Sequence, residues 1–465
     1  MFIGRQKELN ELDRLYRTGK FQCVIIYGRR RVGKTALINE FIRDKDAIYF
    51  TGQETNSKEN LENLSQSIMA SSTGFTGAAP IFANYKEAVE AIFSLAETKR
   101  IVFVIDEYPY LASSYNGISS LLQTSIDRNK ENSKIFIILC GSSLSFMENQ
   151  VLGYKSPLYG RRTAQFKVLP FDYEQTYEFF SKDYAPEDIA VFYGITGGIP
   201  MYLSLMDTGL SLAENIKRNF LSPSGYLFEE PGNLIKQECR EPGQYNAVIK
   251  AIANGATRLS EISGKTGMET SACSAYITKL ISIGIIKKER PFREETGKKV
   301  IYGLEDGMFR FWYRFTAFYL PLISRGEPDL AYGRIEPQIP EFMGAVFEKI
   351  CTEYLWRKNI AGQLPILFND AGRWWGNDPR KHAECEIDII ADNKDEAIFA
   401  ECKWKNEDMG LDVLNTLIDR SGLFRYDHKY YYLFSKKGFT KALELKAAEM
   451  GNVSLVCFDM ILETQ

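Results

Sequence analysis

The feature that most constrains this chain is a glycine-rich segment, GRRRVGKT at residues 28–35, between an apolar segment and a helical one. CVIIY precedes it with the composition of a buried strand, and ALINEFI follows it with helical spacing. A strand, a G-x-x-x-x-G-K-[ST] loop and a helix together form a cradle for phosphates, because backbone N–H groups and the helix N-terminus face the anion. The segment therefore predicts a parallel α/β sheet that carries a nucleotide site.

Four residues of this loop have roles that follow from their chemistry. Gly28 and Gly33 allow the backbone to wrap closely around the phosphates. Lys34 supplies a positive charge to the β- and γ-phosphates, and Thr35 offers a hydroxyl ligand to Mg²⁺. A Gly/Arg turn before an ordinary helix would share the pattern, but the flanking strand and helix favour ATP with Mg²⁺ as the ligand.

Polar residues follow two further apolar strands. IVFVIDEYPYL ends its strand at Asp106 and Glu107, which predicts a carboxylate for Mg²⁺ and a base for the attacking water. KIFIILCGSS ends in Ser142 and Ser143, and Ser143 is the candidate for contact with the γ-phosphate, because ligands of open α/β sheets bind at this edge. Two carboxylates or two serines can also simply terminate a strand.

The segment YGRRTAQF adds two arginines near the predicted sheet. Arg161 or Arg162 could act as an arginine finger on the γ-phosphate, in its own subunit or in a neighbouring copy within a homo-oligomer. A surface salt bridge is an equally good explanation of either arginine.

The motifs of residues 1–240 occur in a specific order: FIGRQKEL, GRRRVGKT, VIDEYPYL, GSS, GRRT and TGGIP. In this order they resemble the archaeal-type ATPases, which are STAND-like relatives of the AAA+ proteins. The resemblance implies that FIGRQKEL, with Arg5, lies against the adenine. It also implies that TGGIP, with Pro200, belongs to a helical lid near the base.

Residues 245–305 predict three helices and then two short strands, the pattern of a winged helix with its wing turn at Glu295 to Gly297. The stretch holds ten Lys/Arg and six Glu. The wing could therefore bind DNA phosphates, or the module could serve only for protein packing. The basic residues of the wing are Lys287, Lys288, Arg290, Arg293, Lys298 and Lys299.

A second chemical signal lies in ECEIDIIADNKDEAIFAECKWK, a predicted hairpin with its turn at DNKD. Alternation with a period of two groups Ile387 with Ile389 and puts Asp388, Glu401 and Lys403 on the polar faces. Two carboxylates and a lysine can hold Mg²⁺ and activate water for phosphodiester cleavage. An amphipathic hairpin with a solvated charged face would show the same pattern.

D…E-x-K resembles the signature of the restriction-endonuclease-like nucleases, named PD-(D/E)xK. That resemblance implies catalytic roles for Asp388, Glu401 and Lys403, with Asp388 and Glu401 as metal ligands, and adds Glu348 from the preceding helix. MGAVFEKI, RWWG, EIDII and AECKWK also resemble the C-terminal domain that accompanies archaeal-type ATPases. The proline of the usual Pro-Asp pair is absent, since Ile387 precedes Asp388.

Composition sets the remaining limits. The net charge of -3 requires any nucleic-acid surface to be local. No apolar stretch approaches the roughly 20 residues that cross a bilayer, so no membrane partner is expected. Eight cysteines without a C-x-x-C pair are typical of reduced thiols, which predicts a cytoplasmic protein.

The sequence thus predicts an α/β protein with four domains. They are a P-loop NTPase parallel sheet at 1–170, a helical lid at 171–240, a winged helix with a connecting helix at 241–335, and a nuclease-like α/β domain at 336–465. The predicted function is an ATP-hydrolysing, STAND-like switch that controls a nucleic-acid-directed C-terminal domain. Two alternatives stay open: an ATP-dependent switch that binds only protein, and a nucleic-acid motor without cleavage.

Overall fold

The computed structural model describes residues 2–73, 80–180, 183–294 and 299–462. These residues form two compact units. The N-terminal unit runs to Phe171 and includes Ile199–Met201, and the C-terminal unit comprises Asp172–Gly198 and the chain from Tyr202 onward. The predicted wing turn at 295–297 and Lys298 lie outside the described residues.

A parallel sheet organises the N-terminal unit, in the order β2-β3-β4-β1-β5. The three central strands are buried along their whole length, because helices cover both faces, and the predicted parallel α/β fold is confirmed. The strands are β1 (Gln22–Tyr27), β2 (Ala47–Thr51), β3 (Val102–Asp106), β4 (Phe136–Gly141) and β5 (Ala164–Lys167).

Two apolar clusters hold the helices of this unit to the sheet. On one face, α1 and α2 pack through Leu12 and Phe41; on the other, α3 to α6 pack through residues such as Ile92 and Leu122. Each such buried side chain contributes roughly 1.5–3 kcal/mol. The helices are α1 (Gln6–Arg17), α2 (Lys34–Ile42), α3 (Ser57–Thr73), α4 (Tyr85–Thr98), α5 (Tyr108–Ser114), α6 (Ile118–Asn129) and α7 (Leu144–Phe146), which continues as a π-helical turn, Met147–Val151.

The segment predicted as a lid is helical. A capping box between Ser211 and Glu214 starts one helix, and Gly197, in the left-handed region, ends another. The helices are α8 (Tyr173–Phe180), α9 (Pro186–Thr196), α10 (Pro200–Leu203), α11 (Leu212–Phe220) and α12 (Tyr226–Glu238).

Three helices and a two-stranded antiparallel sheet follow, in the element order that the sequence predicts for residues 245–305. They are α13 (Pro242–Ala253), α14 (Leu259–Thr266), α15 (Thr270–Ser282), β6 (Ile286–Glu289) and β7 (Ile301–Leu304).

The connection to the C-terminal sheet is helical, although the sequence marks its Pro/Gly-rich part as a boundary. Pro328 and Pro340 stand in the first turns of their helices, where proline is tolerated. The segments are α16 (Gly307–Phe311), a π-helical turn (Trp312–Thr316), α17 (Ala317–Ile323), α18 (Pro328–Ile335), a 3₁₀ turn (Glu336–Gln338) and α19 (Ile339–Ile360).

The C-terminal sheet is mixed, in the order β12-β11-β10-β9-β8, with β8, β9 and β10 antiparallel and β10, β11 and β12 parallel. The predicted hairpin is present, with Ile389 paired to Ala400. The elements are β8 (Asp370–Asp378), β9 (Ala383–Asp392), β10 (Glu396–Lys403), α20 (Leu411–Ser421), β11 (His428–Ser435), α21 (Lys441–Met450), β12 (Val453–Cys457) and a 3₁₀ turn (Phe458–Leu462).

The predicted alternation of β9 is wrong, because the strand contains a bulge. Gly372 pairs with Ile390 but Trp374 pairs with Ile387, so two β9 residues stand opposite the single residue between Gly372 and Trp374. The extra residue brings Ile387 and Ile390 into one apolar cluster, whereas strict alternation groups Ile387 with Ile389. The bulge falls on Asp388 and Ile389.

Within the described ranges, no helix combines the length and the apolar character needed to cross a membrane. The eight cysteines are free thiols, and six of them are buried.

Candidate functional site

The glycine loop after β1 has a conformation that only glycine permits at two points. A Cβ atom on Gly28 would lie 2.3 Å from the carbonyl oxygen of Val168, and Gly33 has φ of 91° directly before α2. Arg31, between them, also has a positive φ of 71°. The loop therefore turns sharply and leads its backbone N–H groups into the N-terminus of α2, an arrangement that binds anions.

Lys34 is enclosed by this loop. Its Nζ donates to the carbonyl oxygens of Gly28 and Arg29, at 3.0 and 2.9 Å. Burial lowers the pKa of Lys34, although the charges of Glu107 and Asp106 oppose the shift. A phosphate in the loop would offset the cost of burying this ammonium group.

Thr35, in the first turn of α2, contacts Asp106, the last residue of β3. The Thr35 hydroxyl donates to Asp106 Oδ2 at 3.0 Å, and the Tyr49 hydroxyl donates to the same oxygen at 2.6 Å. Burial and the adjacent Asp106 raise the pKa of Tyr49, so Tyr49 stays a donor. A hydroxyl beside a carboxylate at the end of a phosphate loop is an oxygen donor set that fits Mg²⁺.

Glu107, the residue that follows Asp106, is also held by hydrogen bonds. It has φ of 49°, in the left-handed region that non-glycine residues adopt mainly at functional sites, and its N–H donates to Asp106 Oδ1 at 2.9 Å. Its carboxylate accepts hydrogen bonds from the hydroxyl and the N–H of Ser142, at 2.9 and 3.3 Å.

The serine that contacts Glu107 is Ser142, whereas Ser143 is the predicted site residue. Ser143 occupies the N-cap position of α7 and makes no side-chain capping bond. Successive residues of an extended segment point to opposite sides, so only one of the pair can face the carboxylate.

Arg5 and Pro200 reach the glycine loop from distant parts of the chain. The buried Arg5 donates to the carbonyl oxygens of Val32, at 3.2 Å, and Leu169, and its guanidinium lies 4.9 Å from the ring centre of Phe171. Pro200 lies 4.0 Å from the position of a Cβ on Gly33. Both predicted residues thus stand next to the loop.

Arg161 forms the salt bridge that the sequence left open as an alternative. Its Nε and Nη2 donate to the two carboxylate oxygens of Asp127, at 3.2 and 2.9 Å. Arg162 donates to the carbonyl oxygen of Leu152 at 3.1 Å. A finger role for Arg161 in a neighbouring copy stays a prediction.

Asp388 lies at the bulge of β9 and is buried. Its Oδ2 accepts a hydrogen bond from the N–H of Cys402 at 2.8 Å. Burial, with the charges of Glu401 and Glu348, raises the pKa of Asp388 to about 7. Burial likewise raises the pKa of Glu348, against the opposing charge of Arg373. Three predicted carboxylates therefore lie within electrostatic reach of one another.

Glu401 and Lys403 form a direct ion pair, in which Nζ lies 2.6 Å from Oε1. The other oxygen, Oε2, has no hydrogen-bond donor among the described residues, and Arg420 stands 3.8 Å away. Across those residues, no group of three or more His, Cys, Asp or Glu side chains is arranged to hold a metal ion. Asp388 and Glu401 are nevertheless carboxylates, the ligand type that Mg²⁺ prefers in proteins.

Asp388 and Glu348 open onto a cavity of about 330 Å³ within the C-terminal unit, called here the charged cavity. This volume is at the lower end of the range for small-ligand pockets. Four cations and four carboxylates line it: Lys287, Arg310, Lys349, Arg373, Glu289, Glu305, Glu348 and Asp388.

The segment after β6 packs against the C-terminal sheet, a contact that the sequence analysis missed. The N–H of Phe292 donates to the carbonyl oxygen of Arg373 at 2.9 Å, and the Phe292 ring belongs to the apolar cluster under that sheet. Arg293 forms a salt bridge with the buried Asp392. An aromatic residue among charges, RPFRE, is the signal that could have identified this anchor.

Two family models match this chain. Residues 2–206 match an ATPase domain predominantly from Archaea, and residues 312–413 match archaeal and bacterial proteins of unknown function. The chain is 32% identical over 444 residues to an uncharacterized protein of Methanocaldococcus jannaschii, over 94% of this chain and 96% of that protein.

Two further similarities are shorter or more distant. An uncharacterized ATP-binding protein of the same archaeon is 49% identical over 45 residues, or 10% of this chain and 76% of that protein. The fold is similar to that of a Walker-type ATPase of Pyrococcus abyssi, with a TM-score of 0.52 and 20% identity, over 67% of this chain and 96% of that one.

Proposed function

This chain belongs to the family of archaeal ATPases, and from that premise we propose that ATP binding and hydrolysis control a C-terminal domain that acts on nucleic acid. The ATPase assignment rests on the match over residues 2–206 and on the P-loop fold. The control of a nucleic-acid-directed domain is the part that needs testing.

In the proposed ATPase site, Lys34 and the loop N–H groups bind the β- and γ-phosphates. Thr35 and Asp106 would hold Mg²⁺, which supplies charge neutralisation on the phosphates when bound. Glu107 orients the attacking water and accepts its proton, and Ser142 fixes the Glu107 carboxylate through the hydrogen bonds at 2.9 and 3.3 Å.

Arg5 and Pro200 have a positioning role in this proposal. The hydrogen bond from Arg5 to Val32 ties the N-terminal segment to the loop, and Pro200 contacts the loop beside Gly33. Both therefore lie where a bound nucleotide could be coupled to movement of neighbouring segments.

The observation that carries the C-terminal part is the cluster of Glu348, Asp388 and Glu401 beside Lys403. Burial raises the pKa of Asp388 and of Glu348, and the charges of Glu401 and Glu348 add to the shift at Asp388, so Asp388 is costly to ionise beside its neighbours unless a bound cation offsets the charge. Phosphodiester cleavage would use such a cluster: the carboxylates would share a cation, and the lysine would face the scissile phosphate.

The test is cleavage of single- and double-stranded DNA with Mg²⁺ or Mn²⁺. Asp388→Ala and Lys403→Ala should each abolish nicking while the ATPase rate stays within about twofold of the parent, because the two sites use different residues. Asp395→Ala, an exposed carboxylate in the turn of the same hairpin, is the matched control and should cleave normally. Cleavage that persists in Asp388→Ala would remove Asp388 from the catalytic group.

The second candidate function is an ATP-dependent switch that binds protein through non-catalytic downstream domains. The anchoring of Phe292 and Arg293 on the C-terminal sheet favours it, because a wing used for packing is less available to DNA. Absence of DNA binding and cleavage by the parent protein, with normal ATP hydrolysis, would support this candidate instead.

A further inference from the structure

Arg310, in α16, is an arginine that lines the charged cavity. Within the described part of the chain its guanidinium forms no salt bridge, and its Nε is buried without a hydrogen-bond acceptor. The guanidinium lies 4.5 Å from the ring centre of Phe342. A guanidinium has five N–H donors, so a partner from outside the protein is expected.

The environment of Arg310 makes this arrangement costly. Burial lowers the pKa of Arg310 to about 10, although the charges of Glu305 and Glu348 act in the opposite direction. Glu305 is already engaged, since its Oε1 lies 3.9 Å from Lys349 Nζ. A buried charge that has no close counter-ion destabilises a fold, and an anion in the cavity would offset that cost.

The position of Arg310 is set by the close packing of α16 against α9. A Cβ on Gly307 would lie 2.1 Å from the carbonyl oxygen of Gly194 in α9. Glycine at position 307 thus allows two helices to approach closely, and this contact fixes the start of α16. Three residues later, Arg310 is held at the cavity wall.

Other cations line the same space. Arg373 has a buried Nε without a hydrogen-bond acceptor in the described part of the chain, and Lys349 and Lys287 lie on the same walls. Lys287 pairs with Glu289, and Arg373 pairs with Glu386. These ion pairs leave several N–H donors of the two cations available. Cations from four separate elements converge on one small volume.

We propose that the charged cavity binds a phosphomonoester group, with Arg310 and Arg373 as its main donors. Phosphate carries nearly two negative charges and accepts the forked hydrogen bonds of arginine, whereas a single carboxylate would leave most of the donors unused. The inference deepens the proposed C-terminal function, on which it rests for the role of the cavity, because it names the group that the cavity accepts.

The size and charge of the cavity limit the ligand. About 330 Å³ accommodates one nucleotide-sized group and excludes an internal segment of a duplex. Glu348 and Asp388, which also line the cavity, repel further negative charge, which disfavours a di- or triphosphate. The phosphomonoester can come from the terminal nucleotide of a strand or from a free mononucleotide, and both sources share this chemistry.

The test uses the full chain without divalent cations, so that binding is measured apart from cleavage. The probes are a short 3′-labelled oligothymidylate with a 5′-phosphate and its 5′-hydroxyl counterpart, followed by fluorescence anisotropy. The parent protein should prefer the phosphorylated strand by about tenfold or more, as expected for charge-assisted hydrogen bonds. Arg310→Gln should lose this preference, and Arg310→Lys should keep part of it.

Arg314→Gln is the matched control. Arg314 lies one helical turn away, lines a different cavity and pairs with Glu341 at 3.0 Å, so its loss should leave the preference unchanged. Each variant should also keep the tryptophan fluorescence and the urea-unfolding midpoint of the parent, which report that the C-terminal unit is folded because all five tryptophans lie in it. Thymidine monophosphate and inorganic phosphate serve as competitors: displacement by thymidine monophosphate identifies a free mononucleotide, and displacement only by phosphorylated strands identifies a strand end.

Equal affinity of the parent protein for phosphorylated and hydroxyl strands, with no displacement by thymidine monophosphate or phosphate, would overturn the proposal. A preference that survives in Arg310→Gln would overturn the assignment of Arg310. Failure of DNA cleavage would not affect these results, because no step of the assay requires it.

Discussion

At the P-loop, the charged side chains have partners that suit them: Lys34 donates to two carbonyl oxygens, Asp106 accepts from two hydroxyl groups, and Glu107 accepts from Ser142. At the C-terminal hairpin, by contrast, carboxylates lie beside carboxylates, and the pKa of Asp388 rises to about 7. The first site is organised by these hydrogen bonds. The second is strained by the burial of Asp388 and by like charge around it, so a proton, a cation or a movement of its walls would change it strongly.

The most severe test of the organised site is Lys34→Ala. Loss of the ammonium group should weaken ATP binding and lower turnover by about a thousandfold, the upper range for one removed electrostatic contact. Release of phosphate and binding of a fluorescent ATP analogue report the two effects. Lys58→Ala, at an exposed position of α3, is the control. Hydrolysis at the parent rate in Lys34→Ala would refute the P-loop assignment.

A smaller effect is expected from Glu107→Gln. The amide keeps the shape of the side chain but cannot accept a proton, so turnover should fall about a hundredfold while ATP binds normally. Single-turnover hydrolysis together with equilibrium binding separates the two quantities. Glu131→Gln, an exposed residue before β4, should behave as the parent. An inability of folded Glu107→Gln protein to bind ATP would give Glu107 a structural role instead.

The strained site predicts a pH effect with a definite sign. The folded-state pKa of Asp388, about 7, lies above its unfolded value, so the native state loses stability as pH rises from about 4 to 7, by about 2 kcal/mol or more. Burial of Asp388 is the largest cause of this loss, Glu401 and Glu348 add to it, and Lys403 opposes it. Asp388→Asn should therefore flatten the dependence of stability on pH between about 4 and 7.

Tryptophan fluorescence during urea unfolding, repeated at several pH values, measures how the stability of the C-terminal unit depends on pH. The five tryptophans, Trp312, Trp356, Trp374, Trp375 and Trp404, all lie in the C-terminal unit. Asp395→Asn, in the exposed turn, should leave the slope as in the parent. Parallel pH profiles for the parent and Asp388→Asn would show that Asp388 ionises as an ordinary carboxyl group.

The smallest effect concerns the wing. Changing Lys287, Lys288, Lys298 and Lys299 to Gln should lower DNA affinity by less than about tenfold and flatten its salt dependence, because removing one lysine–phosphate interaction reduces the slope by about 0.9. The reduction is modest because Lys287 and Lys299 already pair with Glu289 and Glu294. A salt titration checks it, and an unchanged slope would leave the module as a packing element.

The two sites also differ in how far the sequence predicts them. The P-loop is a local structure, so its glycines, Lys34 and the strand ends at Asp106 and Glu107 follow from contiguous motifs. The choice between Ser142 and Ser143 does not follow from a motif, because it depends on which way the chain turns after β4. The sequence names the pair, and only the fold shows that Ser142 contacts Glu107.

At the C-terminal hairpin, the turn and the residues of the cluster follow from the sequence. The side of the sheet on which each β9 residue lies does not. The bulge at Asp388 and Ile389 shifts the alternation by one residue, and no sequence pattern marks it. Arg310 appears in the sequence only as a charge within an aromatic helix. That it forms no salt bridge with any described residue depends on contacts among α9, α16 and the cavity walls, which are distant in sequence.

The most direct measurement is an ATPase assay with and without single- and double-stranded DNA, in which cleavage is followed in the same tube. A switch that joins the two sites predicts that DNA changes the ATPase rate of the parent and that Glu107→Gln alters cleavage although its C-terminal residues are intact. An ATPase rate that ignores DNA, with cleavage equal in the parent and Glu107→Gln or absent from both, would contradict the proposed control of a nucleic-acid-directed domain by ATP.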